Sequence, residues 1–172
     1  MLLRLVLSVL CCVSLYSLEI QAEPTAGEAV NTPAGTTKDV KAVVGQPSPL
    51  IHAVAAESVV QVKVFLEQGV AINGRDEGGN TALMVAAQKG KNDIAQLLVD
   101  RGADVNLQNK DGMTALMFAS QLGHEATVMV LVGANASINT MNNEGATARL
   151  LAKEKGHDSV DMILKEAGGR CL

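Results

Sequence analysis

TALMVAA, residues 81–87, returns as TALMFAS, residues 114–120, after an interval of 33 residues. Sliding the whole sequence against itself by that interval aligns Gly79 with Gly112 and Gly145, and Thr81 with Thr114 and Thr147. It also aligns Ala86 with Ala119 and Ala152, and Gly90 with Gly123 and Gly156. Asn73, Asn106 and Asn139 keep the same register. Carried backwards, the register sets Ser48, Pro49 and Leu50 opposite Thr81, Ala82 and Leu83, and Gly69 opposite Gly102. The chain therefore holds four copies of one unit, at residues 43–75, 76–108, 109–141 and 142–172. A fixed period of this length marks an array of stacked units rather than a single closed core.

Each copy carries the same physical instructions. Thr or Ser opens it, placed to accept a backbone N–H at the start of a helix, and Pro49 occupies the first helical turn of the first copy. A short helix follows and is broken at Gly90, Gly123 and Gly156. A second helix then shows apolar residues at helical spacing, as in Ile94, Leu97 and Leu98 or Val160, Ile163 and Leu164. It ends at a residue suited to the left-handed conformation: Gly69, Gly102, Asn135 or Gly168. The segment after it, for example ADVNLQNKDG at residues 103–112, has the Asn, Asp and Gly of a turn. The expected fold is all-α: four helix-turn-helix units with projecting hairpin-like loops.

The period and the TALM stretch resemble the ankyrin repeat, whose unit has 33 residues and a T-P-L-H-x-A signature. DEGGNTALMVAAQKGKNDIAQLLVDRGADVN, residues 76–106, is similar to a nearly complete family unit. The resemblance implies an ankyrin-repeat solenoid over residues 43–172. Two departures stand out. Met84 and Met117 occupy the place where the family usually has His, and Arg149 replaces the buried leucine represented by Leu83 and Leu116. A charge at Arg149 is expected to face water, which makes residues 142–172 a C-terminal cap. The first copy has Gln46 and Glu57 where Gly79 and Gly90 stand, and reads as an N-terminal cap.

Composition bounds the rest. Phe65, Phe118 and Tyr16 are the complete aromatic set, so the core must be built from Ala, Leu, Val, Ile and Met. The formal charge is −4 with acids and bases interleaved, which offers no basic stripe for nucleic acid. Met1 to Arg4 is a short basic start and Leu5 to Leu18 a mostly apolar run, the pattern of a signal peptide over residues 1–22 with cleavage after Ala22. An uncleaved anchor, or simply an apolar leader, is the alternative. Cys11 and Cys12 follow Leu10 and Cys11 rather than small residues, which argues against a lipoprotein. After cleavage only Cys171 remains, so no intramolecular disulfide can form. Residues 23–42 lack apolar periodicity and read as a flexible linker. The mature chain is expected to be a periplasmic or secreted monomer with no stable membrane span, bacterial by its compact leader. In a eukaryotic secretory protein, Asn135-Ala136-Ser137 would be a glycosylation sequon.

The resemblance places function on the loop tips and the outward side of each first helix, a concave surface that the family uses to bind proteins. Here those positions are Glu77, Asn80, Gln88 and Lys89; Lys110, Met113, Gln121 and Leu122; and Asn143, Glu144, Glu154 and Lys155. Met113 and Leu122 would form an apolar centre with charges around it. His52, His124 and His157 do not suggest a catalytic set, and no phosphate loop, nucleophile elbow or metal-ligand run appears. The expectation is a non-enzymatic module that needs no cofactor or metal and binds a protein partner. Within binding, the alternative is a dedicated inhibitor or stabilising partner of an exported enzyme. A soft-metal protein using Met113 and Met117 is the remaining reading.

Overall fold

The computed structural model describes residues 48–169. The leader at 1–22, the linker at 23–42, residues 43–47 of the first repeat and Cys171 lie outside the described residues. Within them, the four repeats each contribute a short helix and a longer one. These are α1 (Pro49–Ala55) and α2 (Val59–Glu67), then α3 (Ala82–Gln88) and α4 (Asn92–Asp100). They are followed by α5 (Ala115–Gln121) and α6 (Glu125–Gly133), then α7 (Ala148–Glu154) and α8 (Asp158–Glu166). Among the described residues, extended pairing is confined to isolated bridges, Arg75 with Thr81 and Met141 with Thr147.

The boundaries follow from the residues that mark them. Thr81, Thr114 and Thr147 sit in extended conformation, and their hydroxyls accept from the amides of Met84, Met117 and Leu150. Ser48 departs from that pattern: its side chain makes no cap, and the turn is started by Pro49 instead. Each second helix ends left-handed, with φ of 75° at Gly69, 85° at Gly102, 60° at Asn135 and 95° at Gly168.

The break between the helices of a repeat shows why glycine is needed and where it is not. Gly90 has φ of 64°, and a Cβ there would lie 2.6 Å from Nδ1 of His124 in the next repeat. Gly123 meets the ring of His157 in the same way. Glu57 holds this place in the first repeat, also left-handed at φ 59°. Its counterpart in the second repeat is Lys91 rather than a histidine ring, so there is room for a side chain, and Lys91 Nζ lies 2.6 Å from the Glu57 carboxylate. The hydrogen bond and charge of Lys91, with the charge of Lys89, hold the Glu57 carboxyl below the usual glutamate range against its desolvation.

The core is one continuous line of apolar side chains shared between neighbours. Leu50, Leu83, Leu98, Leu116, Leu131 and Leu164 are fully or almost fully buried. Ala86, Ala119 and Ala152 have no exposed surface, and their small size lets α3, α5 and α7 pack side by side. These inner helices contact one another more extensively than the outer ones do. Met84 and Met117 fill the core rather than carrying a hydrogen bond, at 2% and 1% exposure.

Arg149 corrects the sequence reading. It does not simply face water: its side chain is 17% exposed, and Nε lies 2.8 Å from Oδ1 of Asp161. Its Nη1 also donates to the carbonyl of Gly169. The repeat register explains the pairing, because the positions holding Leu83 and Ala95, or Leu116 and Val128, hold Arg149 and Asp161 in the fourth repeat. An apolar contact has been exchanged for an ion pair at both of its partners at once, which spares either charge from being half-buried alone.

Thr127 is the opposite case: it replaces the Ile94 and Val160 of neighbouring repeats, is 1% exposed, and its hydroxyl has no hydrogen-bond partner among the described residues. Two substitutions should therefore move stability in opposite directions. Leu98→Ala, at a side chain with no exposed surface, is expected to cost about 2–5 kcal/mol. Thr127→Val is expected to add about 1 kcal/mol by removing an unmet buried polar group. Urea unfolding of the two variants beside the parent measures both.

Candidate functional site

Among the described residues, three tips project from the helices, those of the second, third and fourth repeats, and their own hydrogen bonds fix them. In the third tip, Oδ1 of Asn109 accepts from the amides of Asp111 and Met113, each at 2.9 Å. Asn142 repeats the arrangement in the fourth with Glu144 and Ala146, and Asp76 does so in the second with Asn80. Gly79, Gly112 and Gly145 close these turns left-handed, at φ 80°, 75° and 79°.

Successive tips are also laced to one another. The Lys110 amide donates to the carbonyl of Gly78, and the Asn143 amide to that of Asp111, at 3.1 and 3.0 Å. Asn109 Nδ2 reaches Oδ1 of Asn80 at 2.8 Å, and Asn143 Nδ2 reaches the carbonyl of Lys110 at 2.9 Å. Below them, Arg75 donates to the carbonyl of Gln108, and Gln108 donates to that of Met141, one repeat further on. Asn73 and Asn106 accept from the amides of Asp104 and Ser137 in the next repeat. At the helix breaks, Nε2 of His124 lies 3.2 Å from the carbonyl of Gln88 and Nε2 of His157 lies 3.1 Å from that of Gln121. Both contacts are hydrogen bonds when Nε2 carries the ring proton.

These bonds sort the expected site residues. Asn80 belongs to the scaffold, since its side chain is engaged by both Asp76 and Asn109. The Asn143 amide group is committed to Lys110 in the same way. Met113 does not form the exposed apolar centre expected of it: it is 8% exposed, part of the core, and its sulfur accepts from Nδ2 of Asn142 at 3.5 Å. Leu122 is exposed, at 45%. Glu77, Gln88, Lys89, Lys110, Glu154 and Lys155 are exposed as well, with Lys89 within 3.8 Å of Glu57.

The structure brings Met113, Gln121, Asn143 and Glu144 together around a hollow of about 350 Å³ between the third and fourth repeats. Asp111, Phe118, Asn142 and Leu151 complete its lining. Phe118 and Leu151 are one repeat apart, and the same position holds His52 and Val85 in the first two repeats. That column of side chains, beside the invariantly small Ala86, Ala119 and Ala152, was missed in the sequence. Its signal was available there: a position that changes from His to Val to Phe to Leu, while its neighbour stays Ala, is not set by packing alone. A second hollow, on the outer side between α4 and α6, is lined by Gln96, Val99, Met129, Val130 and Gly133 among others, and contains none of the expected residues. Among the described residues, no group of His, Cys, Asp and Glu is placed to hold a metal ion, and no helix is long and apolar enough to cross a membrane.

The sequence profile of the family described as ankyrin repeats (3 copies) matches residues 26–109 and 101–171. Its first match begins within the segment read above as a linker. The human ankyrin repeat domain-containing protein 63 is 46% identical over 56 residues, which make up 33% of this chain and 13% of that protein. The mouse protein of the same name is 55% identical over 38 residues, 22% of this chain and 10% of its own length. The chain thus matches only about a tenth of the length of these relatives.

If the tips are held by their asparagines, Asn109→Ala should cost about 1–3 kcal/mol, because it removes the acceptor of the Asp111 amide and leaves the part-buried Met113 amide and Asn80 carbonyl oxygen without their protein partner. Glu77→Ala, on the exposed edge of a tip, should stay within about 0.5 kcal/mol of the parent. Denaturant midpoints of the two variants measure the contrast.

Proposed function

Because this chain belongs to the ankyrin-repeat family, whose repeats generally mediate protein–protein contact without catalysis, we propose that it binds a protein partner along its inner groove, in the periplasm or outside the cell. The groove reading is carried by one observation. Half-buried Phe118 and the edge of Leu151 line the hollow on the groove, while the asparagine side chains of the tips beside it are already engaged by one another. A groove with apolar side chains along its floor and a rigid polar edge suits an extended or helical segment of another protein, since little ordering is needed on this side when the partner docks. The export part of the proposal rests on the basic and apolar pattern of residues 1–22.

Exposed Leu122 and half-buried Gln121, which lines the hollow, allow the groove to be altered without disturbing the core. Leu122→Arg combined with Gln121→Ala keeps the backbone carbonyl that His157 uses, and replaces an apolar contact with a bulky charge. With a partner captured from the chain's own compartment, this variant should melt as the parent does and bind at least tenfold more weakly, as expected for a contact worth about 1.4 kcal/mol or more. Gln96→Lys, on the outer side, should bind as the parent does. Isotherms for the three proteins decide the matter: unchanged binding by the groove variant refutes the proposal, and loss by Gln96→Lys alone moves the site to the outer helices.

A further inference from the structure

The hollow between the third and fourth repeats has a floor and a rim of different chemistry. Half-buried Phe118, with the small uncovered edges of Leu151 and Met113, provides apolar surface, and Asp111 and Glu144 stand at the rim, both exposed. The backbones of these two acids are pinned, the Asp111 amide by Asn109 and the Glu144 amide by Asn142, which holds both residues at the rim of the hollow. Among the described residues the ion pairs are Glu57 with Lys89 and Lys91 and Arg149 with Asp161. Neither rim acid is in these pairs: Lys110, next to Asp111, is in none of them, and Arg149, the cation nearest to Glu144 in sequence, is paired with Asp161.

From this juxtaposition we infer that the hollow receives an arginine or lysine side chain presented by an extended segment of the partner protein. The inference rests on the groove reading above and names the chemistry of its occupant. A long cationic side chain matches the site in two parts. Its aliphatic stem covers Leu151 and Met113, and its charged end lies between the carboxylates and the face of Phe118, where the ring's negative face adds attraction. Arginine fits better than lysine, because a planar guanidinium both stacks on an aromatic ring and bridges two carboxylates. The size argues for a side chain rather than a bare ion: about 350 Å³ exceeds what one hydrated cation fills, and the site lacks a metal-ligand cluster. A neutral apolar side chain would fill the floor but leave two carboxylates partly desolvated without a counter-charge. An acidic partner would be repelled. The rim charges are exposed, so binding should weaken as salt screens them.

The test uses the ¹⁵N-labelled full chain, titrated with the peptide Ac-GARLAG-NH₂ and with its Gln counterpart, Ac-GAQLAG-NH₂. The arginine peptide is expected to shift amides around Asp111, Phe118, Gln121, Asn143 and Glu144 saturably, and at least tenfold more tightly than the glutamine peptide. The double substitution Asp111→Asn, Glu144→Gln keeps both tips' backbone bonds and should reduce arginine-peptide affinity at least tenfold with unchanged melting. Raising salt from 0.05 to 0.5 M should act in the same direction on the parent and much less on the variant. Equal affinities for the two peptides at the hollow would overturn the inference while leaving the groove intact as a binding surface. Shifts confined to other residues, no saturable shift, or full binding by the double variant would overturn it as well. Failure of the groove reading is distinguished separately, by a Leu122→Arg, Gln121→Ala variant that still binds the captured partner.

Discussion

A seven-residue helix and a nine-residue helix cannot bury both of their faces against each other, and every feature of this chain answers to that shortage. The missing cover must come from the next repeat, which has the same shape because it has nearly the same residues 33 positions later. Close stacking is possible where the side chains at the contact are small, which is why Ala86, Ala119 and Ala152 recur without exposure. It also explains the glycines under the histidines: Gly90 and Gly123 are needed both for their backbone angle and for the ring that the following repeat lays over them. Glu57, where Lys91 takes the place of that ring, shows the rule from the other side.

The same dependence on a neighbour extends to the polar groups. Tips that project from a stack would ordinarily be mobile, since they bury little. Here the side chains of Asp76, Asn109 and Asn142 tie the second, third and fourth tips to themselves, Asn109 and Asn143 reach the tip before their own, and Arg75 and Gln108 cross the repeat boundary beneath them. Two classes of residue result on one surface. Those that hold the tips have their hydrogen-bonding capacity engaged, and those between them, such as Phe118, Leu122, Asp111 and Glu144, are left to meet something else. Chemistry specific to this chain resides in the second class, because the first is required by the fold.

Much of this architecture was legible in the sequence. The period located all eight described helices, and the threonine caps and left-handed terminators stand where the register put them. What escaped was whatever depends on a contact between repeats. Met113 is an apolar residue near a tip, and only the approach of Asn142 from the fourth repeat shows that it is covered. Arg149 looked like a water-facing substitution because its partner, Asp161, is twelve residues away in a different helix. Asn73 and Asn106 were visible as repeating letters, yet their purpose appears only when the amides of Asp104 and Ser137 arrive beside them. The Phe118 column was hidden for a related reason: helical spacing shows which side chains share a face, but not which of two neighbouring surfaces that face adjoins.

The central claim is that the tips form one rigid strip across the repeats, against which the groove residues are displayed. Native-state hydrogen exchange of the full chain tests it most directly at the amides of Lys110 and Asn143, which donate to Gly78 and Asp111 in the preceding tips. Protection of these two amides within about tenfold of the α5 helix amides, or roughly 1.4 kcal/mol in opening free energy, is the predicted result. Exchange at the rate of an unstructured peptide, with α5 still protected, would contradict the account.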